Sequence, residues 1–293
     1  MDKEKRDIYQ ELTDKVIASI EQGVSPWQKG WNVANGGYPC NHVSNKNYNG
    51  MNVVLLMMQQ AISAYPYSRW LTYKQAAELG GNVKKGEKGT HIVFYKTLEK
   101  ENKETGDKEK IPMLRSYVVF NIAQCEGIDY HSEPLQVNTI AAIDHAENVF
   151  LACDMELRHG GSRAYWHSLQ DYIQLPERNS FVNSEEYYAT LFHETAHATA
   201  FRTRLDRKPY KSDHVKAAYA FEEAIAELSA LFTCAQLGIH GNVANHASYI
   251  DGWLSVIRAD KRAIFKAAAA AQKATDWVLD KAGIELEELD EAA

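Results

Sequence analysis

The sequence predicts an α+β fold in two parts, a mixed α+β first half followed by a mainly helical second half. Three observations carry that reading. Two runs rich in β-branched and aromatic residues, at 91–98 and 113–122, flank a polar excursion in the first half. From residue 184 onward, nearly every stretch instead carries apolar residues at helical spacing. Between the halves, residues 124–138 hold Gly127 and Pro134 with little periodicity, which places a boundary near 133. A length of 293 residues suits two such domains, 1–133 and 134–293.

Along the chain, Ile8, Leu12, Val16, Ile17 and Ile20 recur at helical spacing, so 7–22 reads as an amphipathic helix ended by Gly23 and Pro26. Residues 24–50, rich in Gly, Asn, Trp and Tyr, read as an ordered loop region. MNVVLLMMQQAIS (51–63) is apolar enough to be a buried helix, and TYKQAAEL (72–79) is a short one closed by Gly80-Gly81. The two strands then follow, with EKENKETGDKEKIP between them as a solvated hairpin tip. In the second half a helix is expected over 139–157 and short strands over 163–167 and 171–175. Helices follow over 184–203, 213–237, 242–259 and 260–282, the last containing the strongly helix-favouring KAAAAAQKA.

Composition excludes several classes. With 45% hydrophobic and 24% charged residues the chain is an ordinary globular sequence. No run approaches the roughly 18 apolar residues that span a bilayer, so no membrane partner is expected. The N-terminus, MDKEKRDIYQ, is charged where a signal peptide is apolar, which predicts a cytoplasmic protein. Cys40, Cys125, Cys153 and Cys234 are too far apart for a zinc ribbon and read as reduced thiols. The net charge of -7 is uneven. Residues 1–133 hold 17 Lys+Arg against 16 Asp+Glu, and residues 134–293 hold 15 against 23. The acidic residues are spread along apolar-periodic helices rather than at phosphate-like intervals, which argues against a DNA mimic.

The densest chemistry lies in His193-Glu194-Thr195-Ala196-His197. Histidines at i and i+4 stand one above the other on a helix face, so both imidazoles reach one metal. Glu194 is then placed to act as general base toward water on that metal. A catalytic zinc needs a third protein ligand, and EEAIAELSALF (222–232) offers Glu223 and Glu227 on one helix face. One would bind metal while the other accepts the free N–H of a ligand histidine. This segment resembles the Asn-Glu-x-x-Ser-Asp signature of thermolysin-like gluzincins. The resemblance puts Glu223 at the metal and Glu227 beyond it, with Glu222 and Ala226 as departures. Tyr165 and Trp166 fit either a substrate-lining edge strand or the core.

The first half has a different vocabulary. Trp27, Trp31, Tyr38, Tyr48 and Trp70 fall among polar residues, near Asn52, Arg69 and the basic run GGNVKKGEKGT with Lys84, Lys85 and Lys88. Aromatic rings stack bases at about 1–3 kcal/mol each while cations follow phosphate, which suits sequence-tolerant single-strand binding. Core packing of the rings and a solvated lysine turn are the alternative.

Taken together, GVSPWQKGW (23–31), PCNHVSNKNYNGMN (39–52), RWLTYKQAAELGGNVKKGEKG (69–89), VFNIAQCEG (119–127), YYATLFHETAHATAFRTRLDR (187–207) and EEAIAELSALFTCAQLGI (222–239) resemble the ArdC family of plasmid antirestriction proteins. The resemblance runs nearly end to end. It implies an N-terminal domain that binds single-stranded DNA and a C-terminal zincin-like metallopeptidase domain of gluzincin type. It also implies zinc as cofactor, with another divalent metal as the alternative, and a host protein as candidate substrate or target. His193, His197 and Glu223 would hold the metal and Glu194 would be the base. Ala200-Phe201 departs from the family's usual Thr-Gly. A protector of incoming DNA whose peptidase-like half is structural or protein-binding is the competing reading.

Overall fold

The computed structural model describes residues 7–22, 37–101, 108–128, 130, 139–211, 215–239 and 247–285. Helix α1 (Ile8–Glu21) starts where Asp7 accepts the Gln10 backbone N–H at 3.1 Å, and it buries Leu12, Val16 and Ile20. Helix α2 (Met51–Ser63) is buried from Met51 to Met58 without interruption, as its composition predicts. Strand β1 (Cys40–Asn41) lies parallel to β2 (Arg69–Leu71). Helix α3 (Tyr73–Glu78) carries a reciprocal cap between Thr72 and Gln75, and Gly80 at φ +80° turns the chain out of it. Strand β3 (Asn82–Val83) precedes the long hairpin of β4 (Thr90–Glu101) and β5 (Lys108–Asn121), giving the sheet order β1-β2-β5-β4. Strand β6 (Cys125–Glu126) returns to pair with β3.

The hairpin strands run further than their apolar cores suggest. Their register opposes Glu99 to Lys110, Lys100 to Glu109 and Glu101 to Lys108, so the ladder continues into the charged excursion.

In the second half, α4 (Thr139–Ala152) ends five residues earlier than expected. Asp154 takes φ +51°, which breaks the helix, and Glu156–His159 becomes strand β7. Strands β8 (Tyr165–His167) and β9 (Tyr172–Leu175) complete a sheet ordered β7-β9-β8. Helix α5 (Ser184–Ala198) stops short of 203 in a series of turns, and α6 (Val215–Gln236), α7 (Ala247–Ala259) and α8 (Ala263–Lys281) follow in the chain. Among the described residues, no helix is long and apolar enough to cross a membrane.

Packing ignores the midpoint of the sequence. One core joins Leu12, Val54 and Ile92 of the first half to Phe221, Leu228, Ile257 and Ile264 of the second. Thr13 Oγ1 also donates to the Lys261 carbonyl at 2.8 Å, fixing α1 to the α7–α8 turn. A second core joins α4, β9 and α5 to the far ends of α6 and α8. Helix α6 belongs to both cores, and it is this helix that faces the histidines.

Candidate metal centre

Asn183 caps α5 by accepting the Glu186 N–H at 2.8 Å, and Leu191, Phe192, Ala196 and Ala198 pack its apolar side. The remaining face turns His193, Glu194 and His197 toward α6, which answers with Glu223 and Glu227. His193, Glu194, Glu223 and Glu227 are 6%, 7%, 5% and 4% exposed, so the charges at this interface must satisfy one another.

Their geometry is convergent. His193 Nε2 lies 3.2 Å from His197 Nε2, and each is 3.6 Å from a Glu223 carboxylate oxygen. Tetrahedral ligands about 2.0–2.1 Å from a metal stand about 3.3 Å from one another, so the two nitrogens, each near a different oxygen of Glu223, lie close to the spacing of a coordination shell. They lie within 4.8 Å of one another overall. Glu227 sits on the other side of His193, 3.7 Å from Nδ1. Glu223 thus lies on the Nε2 side that the two imidazoles share, and Glu227 on the Nδ1 side of His193.

The electrostatics match that arrangement. Burial by itself lowers the proton affinity of His193, but the Glu223 hydrogen bond and the charges of Glu227 and Glu194 outweigh it and raise the imidazole to about 9. Burial pushes Glu223 up, while the two imidazoles pull it down to about 2. Glu227, buried deepest, is pushed up to about 7. The cluster has more carboxylates than imidazoles and is built around positive charge. Two histidine nitrogens and a carboxylate oxygen suit a divalent metal.

Sequence reasoning missed one pair. His197 Nδ1 lies 3.3 Å from Glu222, and Arg207 Nη2 and Nε both bond that carboxylate. Arg207 also reaches the Ala196 carbonyl at 3.1 Å and Thr199 Oγ1 at 2.8 Å, tying the end of α5 to α6. Burial pushes Glu222 up, yet the His197 and Arg207 hydrogen bonds hold it below the usual carboxylate range. Glu222, a departure from the gluzincin signature, thus does for His197 what Glu227 does for His193. Nearby, Tyr165 is 39% exposed on the edge strand β8, while Trp166 is half-buried and donates to Asp171 at 3.1 Å.

The aromatic candidates of the first half need correction. Trp70 is 0% and Tyr48 2% exposed, so neither ring has a face open to a base. Asn52 is also buried, holding β4 through paired 2.8 Å bonds with the Val93 backbone. Polar neighbours in sequence disguised these as surface residues because α2 and the sheet close over them. Arg69 is half-buried and donates to Asn45 at 2.7 Å. Lys84, Lys85 and Lys88 are exposed between β3 and β4, with Lys84 Nζ on the Ala123 carbonyl at 2.9 Å. Trp27 and Trp31 lie outside the described residues.

Known proteins share this fold. Residues 6–120 match the family described as the N-terminal domain of anti-restriction factor ArdC, and residues 144–270 match a zincin-like metallopeptidase family. The metal-free crystal structure of the antirestriction protein ArdC from plasmid R388 aligns with a TM-score of 0.82 at 41% identity, covering 95% of this chain and 98% of that one. The Mn(II)-bound structure of the R388 protein aligns with a TM-score of 0.78 at 39% identity, covering 94% and 98%. An uncharacterized protein of Sinorhizobium fredii, y4eC, is 36% identical over 93% of this chain and 91% of its own length. A DNA primase TraC of Escherichia coli is 35% identical over 94% of this chain, a match spanning only 20% of the primase.

Proposed function

The chain belongs to the ArdC antirestriction family, and from that premise we propose that it is a zinc-dependent peptidase whose first half binds single-stranded DNA without sequence preference. The observation that carries the peptidase reading is the convergence of His193, His197 and Glu223 beside Glu194. A bound divalent cation supplies Lewis acidity, polarising a carbonyl oxygen and acidifying a bound water. This chain's own residues do the rest. Glu194 takes the proton from the attacking water and passes it to the leaving amine. Glu227 and Glu222 hold the two imidazoles by their Nδ1 sides, which keeps both Nε2 atoms aimed at the centre. The Mn(II)-bound relative supports a donor set open to more than one divalent metal. A host protein met on incoming DNA is the substrate class that fits an antirestriction role.

Glu194→Gln tests the mechanism. It removes the base and leaves all three metal donors, so cleavage of a trapped protein substrate should stop while metal content stays unchanged. Full cleavage by the variant would overturn the assignment.

The shared core favours a second reading. Helix α6 presents Glu223 on one side and buries Phe221 and Leu228 against the first half on another. The peptidase-like part could serve chiefly to brace a DNA-binding surface that shields incoming DNA. In that case Glu194→Gln would protect conjugated DNA as well as the unmodified protein does.

A further inference from the structure

Away from the metal centre, a cavity of about 470 Å³ opens between α1, the start of α2, β4 and one face of α8. That volume lies in the range of roughly 300–1,000 Å³ typical of small-ligand sites. Its α8 wall carries Arg262, Lys266 and Lys273, spaced to share one helix face, with Ala269 between them leaving room. The second half is acidic overall, yet this face offers three cations against the single carboxylate of Asp276. Lys266 is paired with Asp260 at 2.8 Å, whereas among the described residues neither Arg262 nor Lys273 is in an ion pair.

The opposite wall is aromatic. Tyr9 donates to the Tyr95 hydroxyl at 3.2 Å, packs edge-on against Phe265 with ring centroids 4.8 Å apart, and lies under the Arg262 guanidinium at 4.8 Å. The rings are thus fixed before any ligand arrives, and Tyr95 remains 58% exposed. An exposed Tyr95 ring, held by a half-buried Tyr9 beside a line of cations, is what Tyr48 and Trp70, being buried, do not provide.

We propose that this cleft, formed by both halves of the chain, holds a nucleotide unit of single-stranded DNA, with the base against the Tyr9–Tyr95 pair and phosphates along Arg262, Lys266 and Lys273. The inference rests on the single-strand reading above and relocates it. Arg262 and Lys266 belong to the region that matches the zincin-like family, so bound DNA would contact that part of the chain directly.

Fluorescence anisotropy of the full-length protein with a labelled oligothymidylate, titrated at several salt concentrations, tests this. Lys273 and Tyr95 are exposed, so their replacement leaves the core intact. Lys273→Gln should lower the slope of log affinity against log salt by about 0.7 for the lost phosphate contact. Tyr95→Ala should weaken binding about ten-fold and leave that slope unchanged. Lys85→Gln, outside the cleft, serves as the comparison and should change less than Lys273→Gln. If the unmodified protein binds the strand and both cleft variants bind equally well, the cleft assignment fails and the single-strand reading survives. If the unmodified protein does not bind the strand, both fail together. Binding of thymidine monophosphate at these residues without binding of the strand would make the cleft a mononucleotide site and overturn the proposal.

Discussion

The α5–α6 interface and the α8 cleft both collect charge, but they handle it in opposite ways. At the interface, His193, Glu194, Glu223 and Glu227 are each less than 8% exposed, and His193 lies 3.6 Å from Glu223 and 3.7 Å from Glu227. In the cleft, Arg262 and Lys273 stand in or near solvent with no ion-pair partner among the described residues. A buried ion costs several kcal/mol unless another charge answers it, so each member of the interface is fixed by the others. An exposed cation is screened by water and salt and acts nearly alone. One region should therefore fail as a unit, and the other residue by residue.

The largest effect expected from breaking that contrast is His193→Ala. It removes a proposed metal donor and leaves Glu194, Glu223 and Glu227 buried without the imidazole that faces them. Bound metal, measured by elemental analysis of the purified protein, should fall to near zero. Stability of the metal-free protein should fall by about 3–5 kcal/mol in denaturant titration. Lys273→Ala, at an exposed position of the cleft, should stay within about 0.5 kcal/mol of the starting protein. Equal losses at the two positions would erase the distinction between the regions.

A smaller effect should follow from Glu222→Ala or Arg207→Ala. Neither side chain is placed among the converging donor atoms, and both act through the orientation of His197. Competition with a chelating dye should show metal affinity weakened about 10–100-fold. Glu222→Gln, which can still accept from Nδ1, should recover part of the loss. Unchanged affinity in all three variants would reduce the Glu222–Arg207 pair to a surface brace.

The same contrast explains what was legible in the sequence. Metal chemistry requires donors at fixed helical spacing, so the sequence singled out His193 and His197 and offered Glu223 or Glu227 beside them. The structure brings His193, His197 and Glu223 together. Arg207 was hidden because it comes back to α5 through the turns after residue 198, a tertiary event that no periodicity records. The first-half aromatics misled for another reason. A tryptophan or tyrosine serves core and binding surface equally well, and only the closure of α2 over the sheet decides that Tyr48 and Trp70 are core. Tyr9 and Tyr95 gave no signal, since one lies in a helix pattern and the other in a strand pattern. The helix expected over 139–157 overran because a single residue, Asp154, adopts a left-handed conformation that composition does not announce. The extension of the hairpin rests on the backbone register between the strands, which the alternation of apolar residues does not reveal.

The smallest effect belongs to a pair lying between the two extremes. Arg204 and Asp171 are 10% and 27% exposed at the side chain and meet through bonds of 2.8 and 3.0 Å, joining the β8–β9 turn to the turns that follow α5. Burial pushes the Asp171 carboxyl up, but the Arg204 and Trp166 hydrogen bonds and the Arg204 charge outweigh it and hold the group below its ordinary 3.8. A carboxyl depressed in the folded state stabilises the protein above its unfolded value, and that contribution is lost as pH falls through the folded one. Asp171→Asn removes the charge, keeps an acceptor for Trp166, and tolerates the φ of +53° at this position. At neutral pH the variant should be less stable by about 1 kcal/mol, because the pair is partly solvated. Below pH 3.8 the two proteins should converge as the aspartate itself becomes neutral. A difference in thermal midpoint that stays constant from pH 6 down to pH 2 would show that packing, not charge, carries this contact.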